Sequence, residues 1–323
     1  MRAMRATTRS GSVKIRPLRE ADLDEADRIM RVAFGTFIGA PDPARFMGDA
    51  AYVRTRWRAS PGSAFAAEVE GELAGSNFAA RWGSFAFFGP LSLHPKHWDR
   101  GLASRLVEPV VELFDAWGVE HAGLFTFPHS AKHIGLYQKF GFRPRALTLV
   151  LGKPVRREPR PHAGRAFSDL DPGGRDEALA GCRGVTDAIF PGLDATPEIE
   201  SVAAQSLGET VLVRDGARVR GFAVCHTGPG SEAGSDTCYV KFAATVPGAD
   251  AEKGFVELLE ACEDFAASAG AGRIVAGVNA ARREAYEGLL SLGYRVALTG
   301  IAMHRPNEAG FSRPGVFVVD DWR

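Results

Sequence analysis

The sequence predicts a mixed α/β protein of two similar halves, each a sheet with helices on both faces. Three observations carry this expectation. Strand-like and helix-like segments alternate up to residue 151, a Pro- and Arg-rich stretch then interrupts them, and the punctuation of the first half returns 152 positions later. At 323 residues the chain is long enough for two domains, each with its own core. With 45% hydrophobic and 24% charged residues it sits among folded globular chains, which excludes global disorder.

The elements follow in order. SVKIRPL reads as a short strand. A helix starts near Asp22, with Leu23, Ala26, Ile29, Met30 and Ala33 forming one apolar stripe. FGTFIGAPDPARF is a loop punctuated by Gly and Pro, followed by a predicted helix near residues 44–56. AFAAEVEG, ELAGSNFAARW and SFAFFGPLSLHP read as three strands, the first two joined by a turn near Gly71. A helix over 100–117 repeats apolar residues every four positions, at Leu102, Leu106, Val110 and Phe114. The strand HAGLFTF leads into the helix AKHIGLYQKF, which Gly141 ends as a left-handed cap, and FRPRALTLVL closes the unit.

GKPVRREPRPHA, residues 152–163, has no apolar periodicity and reads as a linker between a domain over 13–151 and one over 164–323. An offset of 152 then aligns Pro95 with Pro247, Leu106 with Leu258, Gly118 with Gly270, and Gly141-Phe142-Arg143 with Gly293-Tyr294-Arg295, without a gap. Matched spacing of punctuation points to an internal duplication.

Charge and cysteine content exclude several functions. Basic and acidic residues balance at 39 each, so no field steers the chain to nucleic acid or an anionic membrane. Cys182, Cys225, Cys238 and Cys262 never approach CxxC spacing, which gives no zinc or redox motif and leaves buried thiols as the expectation. The basic start MRAMRATTRSGS is followed by no apolar region, and no apolar run is long enough to span a bilayer, so a cytoplasmic location is expected. A small-molecule or peptide partner remains.

The junction HPKHWDRGLASRL concentrates the chemistry. The first turn of a helix has amides without intrahelical partners, and the helix dipole favours an anion there. Small residues at Gly101, Ala103 and Ser104 let an anion approach, with Arg100 or Arg105 able to add charge. The competing use of the junction is an ordinary helix that Asp99 caps with its own carboxylate.

Together with SAKHIGLYQKFGFRPR, this junction resembles the GNAT superfamily of acyl-CoA-dependent N-acetyltransferases. The resemblance covers residues 13–151. It rests on Leu93-His94-Pro95, on the loop Trp98-Asp99-Arg100-Gly101-Leu102-Ala103, and on Tyr137 followed by Gly141-Phe142. It implies two tandem GNAT-like domains, each a mixed, mostly antiparallel sheet. The loop from Asp99 through Arg100, Gly101, Leu102 and Ala103 to Ser104 would bind the pyrophosphate of acetyl-CoA. The backbone of Leu91, Ser92 and Leu93, splayed from HAGLFTF, would pair with the pantetheine arm, as would Ser130 where the family often has Asn. Tyr137 would protonate the departing thiolate, and Leu136 and Phe140 as inner face would leave it at the helix edge. Trp98 stands where the family usually has Gln or Arg, and Asp99 where Gly is frequent.

The resemblance implies direct acetyl transfer to an amine, without a metal or covalent intermediate. The competing readings are an inactive CoA-binding or interaction module and a transferase for a bulkier acyl group. Phe34, Phe37, Ile38 and Phe46 suggest an apolar acceptor pocket. For the general base, Glu68, Glu70, His94, His97 and a water stay open. In the second half, Lys253, Phe255 and Leu289 replace Gly101, Ala103 and Tyr137, which reads as a degenerate copy without a CoA site. Tyr286 is expected to pack, and the segment ending VFVVDDWR is read as a closing strand with a solvated terminus.

Overall fold

The structure, a computed structural model, describes residues 12–156 and 164–323. The basic start and residues 157–163 of the expected linker lie outside the described residues. The first half comprises β1 (Val13–Pro17), α1 (Leu23–Phe37), α2 (Tyr52–Ala59), β2 (Ala64–Val69), β3 (Glu72–Trp82), β4 (Phe85–Phe88), β5 (Ser92–Leu93), α3 (Leu102–Trp117), β6 (His121–Thr126), α4 (Ala131–Gln138) and β7 (Arg143–Pro154). The second comprises β8 (Gly164–Ala166), α5 (Pro172–Ile189), α6 (Thr196–Gln205), β9 (Gly208–Asp215), β10 (Arg218–Gly228), β11 (Gly234–Thr245), α7 (Ala251–Ser268), β12 (Arg273–Asn279), α8 (Arg283–Ser291), β13 (Arg295–Arg305) and β14 (Val318–Val319).

Two boundaries differ from the sequence reading. The helix expected over 44–56 is a short 3-10 turn at Pro43–Arg45 followed by α2, because Met47 and Gly48 both take positive φ and break any continuous helix between them. β7 runs on to Pro154, pairing Gly152, Lys153 and Pro154 with β12, three residues into the stretch read as a linker.

The fold is mixed α/β with a mostly antiparallel sheet, in which, among the described residues, only β4 with β6 and β11 with β12 run parallel. These two parallel pairs have equivalent registers: Phe85 faces His121, and 152 positions later Thr237 faces Arg273. Helices cover both faces. On β10, Phe222 and Val224 pack with α5 and α6, while Ala223 and Cys225 pack with α7, the alternation a strand buried on both sides requires.

Both halves contribute to one sheet in the order β1-β2-β3-β4-β6-β13-β7-β12-β11-β10-β9-β8. β13 of the second half lies between β6 and β7, and β7 of the first lies between β13 and β12. Each half has thus given its last long strand to the other's sheet edge. The final segment is also placed differently from the expectation of a solvated terminus. Asp320, Asp321 and Trp322 are buried, because Arg282 meets Asp320 bidentately at 2.9 and 3.2 Å and the Tyr239 hydroxyl donates to Asp321 at 2.9 Å. No helix among the described residues is long and apolar enough to cross a membrane.

Candidate active site

β4 supplies the wedge at the centre of the first half. It pairs with β6 from Phe85 to Phe87, and then Gly89, at φ 145, and Pro90 interrupt the strand. Proline has no amide to donate, so the ladder cannot continue through it. When the chain becomes regular again, Ser92 and Leu93 pair with Ser76 and Gly75 of β3 rather than with β6. Leu91, Ser92 and Leu93 therefore diverge from the end of β6, Leu91 outside the regular strand.

The loop after β5 turns sharply into α3. His94 starts it by accepting from the Lys96 amide at 3.2 Å, and Trp98 anchors it by donating its indole N–H to the Leu93 carbonyl at 2.8 Å. Asp99 and Gly101 have φ of 62 and 77, and Gly101 is the residue preceding the first turn of α3. A side chain at Gly101 would meet nothing within 4 Å, so the glycine answers a backbone conformation rather than crowding.

Asp99 does not cap α3. Among the described residues no side chain bonds to the helix's first amides, and the Asp99 carboxylate meets Lys132 Nζ of α4 at 2.5 Å, where Lys132 also lies 5.8 Å from the Trp98 ring centroid. The first turn, Leu102, Ala103 and Ser104, keeps its amides free of side-chain caps. Arg100 borders a cavity of about 280 Å³ with Glu70, Glu72, Lys96 and His97, outside the wedge. Arg105 is occupied elsewhere, donating to the Val13 carbonyl at 3.2 Å.

The Asp99–Lys132 pair brings the amino ends of α3 and α4 together. Ser130 caps α4, its hydroxyl accepting from the His133 amide at 3.3 Å, which leaves its own proton to donate. Tyr137 is the one buried residue of α4, so the expectation that it lies at the helix edge is corrected. Leu136 and Phe140 are only partly covered, whereas the Tyr137 ring packs edge-on to Phe88 at 5.6 Å between β4 and the helix. Thr126, the last residue of β6, lies close enough to act on its hydroxyl. Burial pushes the phenol above the usual tyrosine range, and the neighbouring Thr126 opposes that shift.

The residues considered as a base are dispersed. Glu68 is paired with Arg16 at 2.9 Å, and Glu70 and His97 line the outer cavity. Burial first, then Lys96 and Arg100, push the His97 imidazole below its ordinary range. Of the four apolar residues expected at the acceptor side, Phe34 stacks on Phe46 at 6.2 Å and Phe37 lies 4.8 Å from both Phe127 and His133, while Ile38 is exposed. Sequence reasoning missed Lys132 and Thr126. A cation in the first turn of a helix, and a hydroxyl at the end of a strand, were the available signals.

The corresponding wedge of the second half is occupied by the chain itself. β11 leaves β12 after Val240, and β14 pairs with Ala243 and Ala244 in the gap. Phe255 is buried with its ring 5.4 Å from Phe317, Leu289 is buried, and Tyr286 packs into the same core.

Comparisons with known proteins bear on the fold. Residues 28–142 match the family model described as the acetyltransferase (GNAT) family. A protein of Pyrococcus horikoshii described as a candidate acetyltransferase superposes with a TM-score of 0.70 at 13% identity, over 100% of this chain and 99% of that one. A GCN5-related N-acetyltransferase from Sphaerobacter thermophilus superposes with a TM-score of 0.57 at 15% identity, over 90% and 95%. At such identities the likeness is one of fold. A search of curated proteins found no match.

Proposed function

Residues 28–142 carry a GNAT acetyltransferase domain, and from that premise we propose that the first half binds acetyl-CoA and transfers its acetyl group directly to an amine. The observation that carries this reading is the uncapped amino end of α3 beside the diverging ends of β5 and β6, with Asp99 drawn aside by Lys132. Amides from Gly101 to Ser104 receive the pyrophosphate, with Arg100 at hand for charge, and the backbone of Leu91 to Leu93 with the Ser130 hydroxyl lines the way to the wedge. Acetyl-CoA, when bound, supplies the activated thioester. Tyr137, kept neutral by burial, gives its proton to the departing thiolate and draws on the Thr126 hydroxyl for orientation.

The acceptor amine enters over Phe34, Phe37 and Phe46, against Phe127 and His133. The second half is a GNAT-like copy whose own wedge is closed by β14, so it supports the first half rather than binding a second nucleotide. The four free buried cysteines accord with a reducing, cytoplasmic compartment.

Calorimetric titration with acetyl-CoA tests the reading. Saturable binding is expected; no heat and no thermal shift at saturating ligand removes the transferase and leaves an interaction module. With binding in hand, an amine panel followed by free-thiol release should show turnover that falls about 10²-fold in Tyr137→Phe at unchanged acetyl-CoA affinity. Equal turnover in that variant rejects the proton donor alone. Faster thiol release with longer acyl donors identifies a bulkier-acyl enzyme.

A further inference from the structure

A second cavity, of about 230 Å³, lies where the exchanged strands meet and is lined by Arg145, Asn279, Ala281, His304 and Ser312, among others. It is separate from the candidate active site. His304 pairs with Gly123 and Arg143 across the sheet, three positions along β13 from Ile301, which faces Thr126 beneath Tyr137. Nor does it repeat the pyrophosphate loop, whose counterpart precedes α7, whereas this cavity borders the start of α8.

Two of its lining residues carry a buried side-chain polar atom without a partner among the described residues. His304 Nδ1 meets His121 Nε2 at 2.9 Å, and both rings are buried, His121 stacked on Phe85 and His304 tilted against Trp322. The other ring nitrogen of His304, Nε2, has no hydrogen-bond partner among the described residues, and the Glu308 backbone lies close enough to favour the protonated ring. Ser312 Oγ is also buried and unpartnered. Buried groups left this way call for an occupant that accepts from them. At the rim, Arg145 spends Nη1 on the Asn307 carbonyl and side-chain oxygen, each at 3.1 Å.

Three features agree on the sign of that occupant. Among the described residues no acidic one lines the cavity, and the nearby Asp320 carboxylate is held by Arg282. α8 begins two residues beyond Ala281 with no side-chain cap, so its positive end adds to the field. Burial holds both imidazoles neutral, His121 down to about 4 and His304 to about 3, the latter pushed further by His121, Arg145 and Arg282. One guanidinium is then the net charge of the lining, which suits a singly charged carboxylate better than a phosphate dianion.

We propose that this cavity binds the carboxylate of a small organic acid, with Arg145 closing over it at the rim and His304 Nε2 and Ser312 Oγ donating to it. The tautomer this requires has His121 Nε2–H donating to His304 Nδ1. The site draws β7 from one half and β12, β13 and the following loop from the other, so its occupant holds the exchanged strands together.

The test uses the full chain, propionate as probe, and propionamide and inorganic phosphate as controls at constant ionic strength. Imidazole resonances of His121 and His304 should shift saturably with propionate and stay fixed with propionamide. Arg145 is exposed, so Arg145→Gln should keep the melting temperature and acetyl-CoA titration of the parent while weakening propionate about tenfold or more. Ser312→Ala should weaken it less. Absence of a saturable shift, equal shifts with propionamide, binding of phosphate in place of propionate, or an unweakened Arg145→Gln variant overturns the proposal. Because acetyl-CoA binding is read separately, none of these outcomes bears on the transferase reading.

Discussion

In the proposed function, Asp99 decides how well the α3 junction receives an anion. Its carboxylate is exposed and carries a negative charge within the loop that would hold a pyrophosphate, and its partner Lys132 spends a positive charge neutralising it. Asn at this position tolerates the positive φ while removing the charge, and frees Lys132 to face the ligand. Asp99→Asn should therefore tighten acetyl-CoA binding several-fold in a titration at low salt, with the gain shrinking as salt is added. Weaker or unchanged binding would show that Asp99 serves the loop through its shape alone. Gly101 is different in kind. At φ 77 in open space, any other residue there is strained without clashing, at a cost of about 1 kcal/mol.

At the scale of elements, the α3 helix, its leading loop and the strand to either side were legible because their punctuation is local: Gly101 before the helix, Gly118 after it, apolar residues every four positions between. The burial of Tyr137 was not. Periodicity within a helix of eight residues cannot say which side meets the sheet, and the answer came from Phe88 on β4, far away in sequence. The closed wedge of the second half was half legible. Phe255 in place of Ala103 signalled a filled cradle, but nothing local says that Val318 and Val319 pair into the gap, or that the charged residues after them find Arg282 and Tyr239. Phe317→Ala should remove the ring packed on Phe255 and lower stability by about 3 kcal/mol in denaturant titration. Acetyl-CoA affinity should not move in that variant, since the plugged wedge belongs to the other half; a parallel loss of affinity would mean that the two wedges are coupled.

At the scale of the whole molecule, charge is buried between the halves. Arg56 of α2 meets Glu232 at 2.9 and 3.1 Å and donates to the Gly89 carbonyl at 2.6 Å and to the Arg323 carbonyl; Lys241 reaches Glu232 and Glu198. Despite the desolvation that opposes it, Arg56 and Lys241 hold the Glu232 carboxyl far below its usual range. Three histidines, His121, His226 and His304, are buried neutral, with burial the first cause in each, at about 4, about 4 and about 3. Their folded values lie below the unfolded 6.5, so between about pH 6.5 and 4 the unfolded chain takes up protons that the native one refuses. Stability is full above that window and falls through it by up to about 1.4 kcal/mol per pH unit for each group. The melting temperature should be level from about pH 8 to 6.5 and drop steeply from there to 4; a flat profile would mean that these rings are hydrated in solution.

The traded strands also set a timetable. During synthesis β6 leaves the ribosome long before β13, its neighbour in the finished sheet, whose last residue lies 179 positions after Thr126. At bacterial-to-eukaryotic elongation speeds this is a wait of roughly 10–35 s with one side of β6 unmated. The nascent chain is therefore obliged to keep a sticky border shielded while those intervening residues are made, and this part of the sheet closes only once Arg305 has been added.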